Sequence, residues 1–194
     1  MVEAPILTLP EAEAAALRAA YQAAGVILEY GTGGSTVVAS ALPGRQVFAV
    51  ESSAPWLAKM AEWFVDHPTV AKLVLHHGNI GKTKDWGFPV DNRLVARWSN
   101  YPLSIWDRAD FRHPDVVLID GRFRLACALT VLFRITKPVA VLIDDYIDRP
   151  QYKKIEMLVG SPIMAGRMAL FDFTPMAMPP AQMHWILQAY ANPN

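Results

Sequence analysis

The chain alternates between short runs that are almost entirely aliphatic and longer stretches whose composition suits a helix. The aliphatic runs, each five residues long, are 26–30, 46–50, 72–76, 115–119 and 139–143. The helical stretches between them are 36–42, 55–66 and 122–135. A strand that is apolar along its whole length is buried on both faces, and helices that alternate with such strands cover a parallel sheet. The pattern therefore predicts an α/β fold with a doubly wound, mostly parallel sheet.

The chain begins with residues that are typical of a helix start. Thr8 is the expected N-cap, Glu11 follows three residues later, and Pro10 lies in the first turn, where its missing N–H does no harm. An alanine-rich helix is expected to run from here towards Gly25, a residue that often ends helices.

The last third of the chain has a different pattern. We expect a helix at 151–159, followed by strands at 168–173 and 183–190. The residues between these two strands have no helical pattern, so the strands are predicted to pair antiparallel at the edge of the sheet.

The stretch 80–113, between the third and fourth strands, is too long for a plain connection and is expected to be functional. Its six aromatic residues are Trp86, Phe88, Trp98, Tyr101, Trp106 and Phe111. Interleaved with them are the arginines Arg93, Arg97, Arg108 and Arg112. One interpretation is a lid on the substrate side, over an anionic or ring-bearing acceptor. The other is a segment that packs these rings into a satellite core or a subunit interface.

The composition is that of one globular domain spanning 1–194. Hydrophobic residues make up 53% of the chain and charged residues 19%, which excludes a disordered protein. Eighteen basic and eighteen acidic residues balance, so general nucleic-acid binding is not expected. Cys127 is the single cysteine, the first ten residues lack a signal-peptide pattern, and no apolar stretch is long enough for a membrane span. A cytoplasmic protein without a membrane partner is expected, and no pattern indicates its oligomeric state.

Polar residues follow every predicted parallel strand. They are Gly31, Thr32, Gly33 and Gly34 after the first strand, Glu51 after the second, Asn79 after the third, Asp120 after the fourth, and Asp144 and Asp145 after the fifth. In an open parallel sheet, ligands bind in the crevice at the carboxyl ends of the strands. Glycines let a ligand approach the backbone closely, and the helix after them points free N–H groups into the crevice. The polar residues after the strands therefore predict a ligand site at the carboxyl edge of the sheet.

Glu51 narrows the class of ligand. It lies twenty residues after Gly31, at the end of the next strand, where an acid accepts hydrogen bonds from the ribose of an adenosine-type ligand. A dinucleotide site needs a third glycine where this chain has Thr36, so a nicotinamide oxidoreductase is disfavoured. A tight strand-to-helix turn without a ligand is the structural alternative for the glycines alone.

Residues 27–36, with the sequence ILEYGTGGST, resemble the first motif of class I S-adenosylmethionine-dependent methyltransferases, hydrophobic-hydrophobic-E-x-G-x-G. Glu51 is similar to the ribose-binding acid of that family, and the predicted terminal strand pair is similar to its antiparallel sixth and seventh strands. The likeness in layout covers about 8–191. The resemblance implies a Rossmann-like fold that binds S-adenosylmethionine.

The resemblance also implies roles for individual residues. Glu29 would support the glycine loop beneath the methionine part of the cofactor, and Glu51 would hold the ribose. Asn79 stands where many members have an aspartate that reaches the adenine amino group, and an amide oxygen accepts the same hydrogen bond. The full predicted cofactor-binding set is Glu29, Gly31, Thr32, Gly33, Gly34, Ser35, Glu51, Ser52, Asn79 and Asp120.

Asp120 begins the loop DGRFR after the fourth strand, near which the family keeps the reacting methyl group. It is expected to bind the cofactor's amino group, orient the acceptor or ligate a metal. The structural alternative is an N-cap for the next helix, with Arg122 and Arg124 as surface charges. For a hydroxyl acceptor, which needs help with deprotonation, Asp120 and Asp144 are the predicted catalytic residues, with His77 a further candidate base.

The acids after the fourth and fifth strands resemble those of a subset of the family that uses Mg²⁺ to bind a vicinal diol. If a metal is used, its ligands are expected to be Asp120, Asp144 and Asp145, because Mg²⁺ prefers oxygen ligands. The alternative is that Asp144 or Asp145 caps a loop and faces solvent.

The resulting hypothesis is methyl transfer from S-adenosylmethionine to a small molecule or a sugar-type hydroxyl. Such a reaction requires mainly that the protein align the reactants and exclude water. The alternative is a non-catalytic, methyltransferase-like module that binds the cofactor or its demethylated product, S-adenosylhomocysteine.

Overall fold

A mixed sheet organises the chain in a computed structural model, which describes residues 5–194. Its strands are β1 (Val26–Tyr30), β2 (Gln46–Glu51), β3 (Lys72–His77), β4 (Val116–Ile119), β5 (Val139–Ile143), β6 (Ile163–Ala165) and β7 (Met168–Phe173). Their order across the sheet is β3-β2-β1-β4-β5-β7-β6. The first five strands run parallel, whereas β7 pairs antiparallel with both β5 and β6. The predicted doubly wound, mostly parallel sheet with an antiparallel terminal pair is confirmed.

Helices cover both faces of the sheet. They are α1 (Glu11–Ala23), α2 (Gly34–Ser40), α3 (Ala54–Asp66), α4 (Asn100–Leu103), α5 (Arg124–Arg134), α6 (Glu156–Val159) and α7 (Met183–Tyr190). Ile27 and Leu118 pack in one core with residues of α1 and α2, whereas Leu28 and Val117 pack in the opposite core with residues of α5 and α7. Burial on both faces explains why the central strands are aliphatic at nearly every position.

The segment before α1 is extended, so the prediction of Thr8 as the N-cap is wrong. The helix begins at Glu11, its N-cap is Pro10, and no side chain caps it. The backbone of Ile6 and Leu7 instead passes against the glycine turn. A Cβ on Gly34 would lie 2.2 Å from the backbone nitrogen of Leu7, so only glycine fits beneath this crossing.

One strand of the predicted terminal antiparallel pair, 168–173, is β7, but its terminal partner is made by different residues from those predicted. The strand predicted at 183–190 is helix α7, and β7 pairs instead with β6, which precedes it. Apolar content alone does not separate a short helix from a strand, and here Ile186 and Ala189 form the buried side of the helix. The helix predicted at 151–159 is a 3-10 turn, Pro150–Ile155, followed by α6. Within residues 5–194, no helix is both long and apolar enough to cross a membrane.

Candidate active site

The glycine turn after β1 is tied to a buried carboxyl group. Glu29 accepts hydrogen bonds from the hydroxyls of Tyr21 and Thr36, both at 2.6 Å. The Thr36 hydroxyl in turn accepts a hydrogen bond from the backbone N–H of Gly33 at 3.0 Å. Burial raises the pKa of Glu29 to about 7, although the hydrogen bonds oppose this shift. Thr36, the residue that breaks the dinucleotide template, therefore links the turn to the sheet.

Two glycines of this turn have contrasting surroundings. Gly31 has a φ of 105°, and a Cβ there would lie 2.9 Å from the backbone nitrogen of Gly121, in the loop after β4. A Cβ on Gly33 would meet no atom within 4 Å. The loops after β1 and β4 are thus in direct contact, while the backbone of Gly33 faces open space. Ser35 is buried in the first turn of α2.

Glu51, at the end of β2, is buried and hydrogen-bonded through both carboxylate oxygens. Its Oε2 accepts from the backbone N–H and hydroxyl of Thr32, at 3.3 and 3.0 Å. Its Oε1 accepts from the backbone N–H groups of Ser52 and Ser53, both at 2.8 Å. The Trp56 indole N–H donates to the Thr32 carbonyl at 2.9 Å. The acid predicted at the second strand and the glycine turn are therefore brought together through Thr32.

The loop after β3 reaches the same edge. The backbone N–H of Gly78 donates to the Glu51 carbonyl at 2.9 Å, which places the exposed Asn79 beside the end of β2. The Asn79 Oδ1 accepts a hydrogen bond from the backbone N–H of Gly81 at 3.0 Å. The Asn79 side-chain oxygen thus stabilises its own turn.

Ser52 connects the end of β2 to the insertion. Its hydroxyl donates to the Gly87 carbonyl at 2.9 Å, and its own carbonyl lies 3.2 Å from Nε2 of His77. His77, a candidate base, therefore contacts the backbone beside Glu51 rather than any acid of the loops after β4 and β5.

Arg124 organises the loop after β4. It is buried, with its side chain 4% exposed, and its Nη2 lies 3.2 Å from Asp120 Oδ1 and 3.1 Å from Asp145 Oδ2. Its guanidinium also donates to the carbonyls of Gly121 and Asp144. The N-cap of α5 is Phe123, so the predicted helix start at 122, the alternative of Asp120 as N-cap and the alternative of Arg124 as a surface charge are all wrong. The left-handed conformation of Phe123 precedes the helix, which begins at Arg124, two residues later than predicted.

Arg167, in the turn between β6 and β7, neutralises the acids after β5. Its Nε and Nη2 bind Asp144 Oδ1 and Oδ2 at 3.2 and 3.0 Å, and its Nε lies 3.1 Å from Asp145 Oδ1. Asp144 is buried, so it does not cap a solvent-facing loop. The backbone N–H of Arg167 donates to Glu13 of α1 at 2.8 Å. Asp144 is thus held in a bidentate ion pair with Arg167.

Asp120 is the most exposed carboxylate of this cluster. Its side chain is 37% exposed, against 30% for that of Asp145 and 2% for that of Asp144. Burial of part of the group raises the pKa of Asp120 to about 6; Arg124 opposes the shift and Asp144 adds to it. A carboxylate with a pKa near 6 is a suitable proton acceptor at neutral pH. Of the two predicted catalytic acids, the geometry favours Asp120.

The three acids do not form a good magnesium site. Carboxylate oxygens of Asp120, Asp144 and Asp145 lie within 4.8 Å of one another, which by itself suits a metal. Five of the six oxygens, however, contact an arginine nitrogen at 3.0–3.2 Å. Mg²⁺ requires octahedral oxygen ligands, and guanidinium groups at this range occupy the places of those bonds. The cluster therefore fits a structural ion network better than a magnesium site.

Strained backbone is concentrated at the same edge of the sheet. Among residues 5–194, the non-glycine residues with positive φ are Trp86 at 61°, Phe123 at 53° and Asp145 at 55°. They lie after β3, β4 and β5, respectively. Residues held in this region cost on the order of 1–3 kcal/mol each, and such strain clusters at functional sites. Strain in the three segments that follow these strands therefore supports a functional role for this edge.

The insertion 80–113 divides into two parts. In its second part, Trp98, Tyr101 and Trp106 are buried in the main core, and the Trp106 indole N–H donates to the Tyr30 hydroxyl at 2.7 Å. In its first part, Trp86 is 87% exposed. The later aromatic residues thus stabilise the domain, and the segment before them is left at the open side of the site.

Sequence reasoning missed the residues that neutralise the acids. Arg124 stands four residues after Asp120, a spacing that permits an ion pair, so its role had a local signal. Arg167 lies 23 residues beyond Asp144 in a hairpin turn, and only the sheet topology brings them together. The indole N–H of Trp56, in α3, binds the glycine turn, a contact that the sequence pattern did not predict.

A solved structure shares both fold and sequence with this chain. It is a methyltransferase-like protein from Silicibacter pomeroyi, 45% identical, with a TM-score of 0.94 over 98% of this chain and 99% of its own. The chain belongs to the class I S-adenosylmethionine-dependent methyltransferases. The resemblance predicted from residues 27–36 is thereby confirmed.

A second solved structure has a similar fold at a much lower sequence identity. The O-methyltransferase TomG from Streptomyces achromogenes, solved in complex with S-adenosylmethionine, is 13% identical, with a TM-score of 0.56 over 88% of this chain and 82% of its own. At that identity the likeness concerns the fold alone. No protein-family model matches the sequence, and no curated protein does. The acceptor of this methyltransferase therefore has to be inferred from its own site.

Proposed function

We propose that this methyltransferase binds S-adenosylmethionine at the carboxyl edge of β1, β2 and β4 and transfers its methyl group to the hydroxyl of a small molecule or a sugar. The observation that carries the proposal is the contact of Glu51 with Thr32 beside the open backbone of Gly33. An acid at this position suits ribose hydroxyls, and an uncovered glycine backbone suits a ligand that approaches closely.

The proposed cofactor site consists of residues with distinct tasks. Glu29 fixes the turn from within the sheet, and Gly31 keeps it against the loop after β4. Gly33, Gly34, Ser35 and Thr32 would lie along the methionine and ribose parts, with Glu51 and Ser52 at the ribose and Asn79 at the adenine. Bound S-adenosylmethionine would supply a methyl group already activated by its sulfonium.

The chain's own contribution to the reaction is alignment and proton acceptance. We assign proton acceptance to Asp120, because its carboxylate is partly exposed and its pKa is about 6. As the acceptor oxygen takes the methyl group, its proton would pass to this carboxylate, and S-adenosylhomocysteine would leave. Arg124 would keep Asp120 in place through the contact at 3.2 Å. A positioned base of this kind contributes roughly 10²–10⁴-fold to the rate.

Calorimetric titration with S-adenosylmethionine and, separately, with NAD tests the cofactor. Binding of the first without the second is expected, because Thr36 stands in place of the third glycine of a dinucleotide site. Absence of S-adenosylmethionine binding to well-folded protein would overturn the proposal. A product assay by mass spectrometry against a panel of hydroxyl acceptors, with and without Mg²⁺, then tests transfer.

A non-catalytic module that binds the cofactor is the second candidate. The observation that favours it is the neutralisation of Asp144 and Asp145 by two arginines, which leaves Asp120 as the remaining acid for proton transfer. Tight binding of S-adenosylhomocysteine with no methylated product from any acceptor would support this candidate. Product formation that is lost in Asp120→Asn would exclude it.

A further inference from the structure

Arg122 is a cation at the edge of the candidate site without an anionic partner. Within residues 5–194, no carboxylate lies within 4.0 Å of its guanidinium, and its Nε is buried without a hydrogen-bond partner. Its neighbour Arg124, by contrast, contacts two carboxylates. A half-buried charge without compensation is unfavourable, so such a residue is expected to have a ligand.

The Arg122 side chain is held in one direction by its surroundings. The guanidinium carbon lies 4.3 Å from the centroid of the Phe88 ring, a cation–π contact with the insertion. The next residue, Phe123, is in the left-handed region, and its buried ring packs against Trp98 and Tyr101 at centroid distances of 5.7 and 5.8 Å. Phe123 therefore anchors the loop next to Arg122, and Phe88 holds the Arg122 side chain. Because the side chain is already held, it loses less conformational entropy when it binds a ligand.

The side chain extends from the loop after β4 towards the end of β2. A Cβ built on Gly87 would lie 3.8 Å from Arg122 Cγ and 2.5 Å from Ser52 Oγ, so these three residues meet at one point. Ser52 directly follows Glu51, and Arg122 follows Asp120 by two residues. Arg122 thus lies between the proposed ribose acid and the proposed base, at the border with the insertion.

We infer that Arg122 binds an anionic oxygen, in the form of a carboxylate, on the ligand that fills the crevice. The inference rests on the proposed function and adds to it the charge of the ligand. A guanidinium matches a carboxylate with two parallel hydrogen bonds, and stacking on an aromatic ring leaves its edge free to make them. The carboxylate comes either from the amino-acid end of the cofactor or from an acidic acceptor.

Two titrations distinguish these sources. S-adenosylhomocysteine carries the amino-acid carboxylate, and 5′-methylthioadenosine lacks it. If the cofactor supplies the carboxylate, Arg122→Met weakens S-adenosylhomocysteine at least tenfold and leaves 5′-methylthioadenosine unchanged. If the acceptor supplies it, both nucleosides bind as before, but protein saturated with S-adenosylhomocysteine binds benzoate at least tenfold better than benzamide, and Arg122→Met removes that preference.

The variants separate binding from folding. Arg122→Met retains an unbranched stem that packs on Phe88 but lacks the charge. Arg122→Lys retains the charge, so it is expected to keep part of the affinity that Arg122→Met loses. Arg93→Met is the matched control, because Arg93 lies in the insertion that Arg122 contacts and its side chain is 89% exposed. Unchanged binding by Arg122→Met in both titrations overturns the inference alone. Failure of the wild type to bind either nucleoside overturns the proposed function. In that case, a comparison of the affinities of the free protein for benzoate and benzamide decides the role of Arg122.

Discussion

The carboxylate of Asp144 and the guanidinium of Arg167 face one another as a bidentate pair, with contacts of 3.2 Å and 3.0 Å. Arg167 thereby occupies the side of the acid cluster where a cation would bind. Arg167→Met is expected to create a Mn²⁺ site that the wild type lacks, measured by electron paramagnetic resonance of free Mn²⁺. It is also expected to destabilise the fold by roughly 1–3 kcal/mol, because it leaves Asp144 buried and unpaired, a cost reduced by the partial exposure of Arg167.

The double variant Arg167→Met with Asp144→Asn is the control for this experiment. It removes the unpaired charge, so it is expected to recover most of the stability and to lose the acquired Mn²⁺ affinity. Stoichiometric Mn²⁺ binding by the wild-type protein would show that the arginines do not exclude a metal.

Glu29 is expected to make stability depend on pH. Burial raises its pKa from 4.5 to about 7, so the folded protein binds this proton more tightly than the unfolded chain does. The stability contributed by the protonated form is full below about pH 4.5 and is lost as the pH rises through about 7. Relative to the wild type, Glu29→Gln should therefore gain on the order of 3 kcal/mol between pH 4.5 and pH 8. Urea unfolding of both proteins at the two pH values measures this difference, and a constant difference would contradict it.

Gly33→Ala is expected to weaken S-adenosylmethionine binding without changing the stability of the fold. A Cβ at Gly33 meets no protein atom within 4 Å, so the free energy of unfolding should change by less than about 0.5 kcal/mol. The new methyl group occupies the space assigned to the cofactor, and S-adenosylmethionine affinity should fall at least tenfold by calorimetry. Gly31→Ala gives the contrast: its Cβ would lie 2.9 Å from Gly121 nitrogen, so it should destabilise the fold by more than about 1 kcal/mol. Unaltered affinity in Gly33→Ala would remove the turn from the cofactor site.

Glu51→Ala is expected to weaken S-adenosylmethionine roughly 10- to 100-fold, the effect of losing a charged hydrogen-bond acceptor. Thr32→Val is the matched variant, because it removes the hydroxyl contact at 3.0 Å but keeps the carboxylate. A much smaller loss in Thr32→Val indicates that Glu51 binds the ribose directly. Equal losses in both variants would mean that Glu51 acts only by holding the turn.

The proton-accepting role of Asp120 predicts an acid limb in the pH profile of kcat/KM. Below about pH 6 the carboxyl group is protonated and no longer accepts a proton, so activity should fall tenfold per pH unit. Asp120→Asn should lower kcat by roughly 10²–10⁴-fold and remove this limb. Asp91→Asn, which alters an exposed acid of the insertion, is the control. Persistence of the limb in Asp120→Asn would assign the base to another group.

The parallel strands were predictable because burial on both faces requires aliphatic residues at nearly every strand position, and such runs can be recognised in the sequence. The predicted runs 26–30 and 139–143 coincide with β1 and β5. The positions of the glycine turn after β1 and of Glu51 at the end of β2 were predictable for a related reason, because polar residues that follow aliphatic runs mark the carboxyl edge of a parallel sheet.

Other features depend on contacts that no local pattern records. Met183–Tyr190 has the apolar content of a strand, and its helical form follows from packing two side chains, Ile186 and Ala189, against α5. The sequence suggested a metal site at Asp120, Asp144 and Asp145 because it places three acids after neighbouring strands and shows no basic residue that must lie beside all of them. The compensating Arg167 comes from a hairpin that the sequence did not place beside them.

The hydrogen bond from Arg167 to Glu13 joins residues 154 positions apart in the chain. During synthesis, α1 and the first five strands emerge from the ribosome before the residue that balances Asp144. A nascent chain arrested before residue 167 thus carries Asp144 without its ion-pair partner, whereas Asp120 and Asp145 already have Arg124. The ion network after β4 and β5 is therefore completed late in translation, when the final hairpin closes onto the first helix.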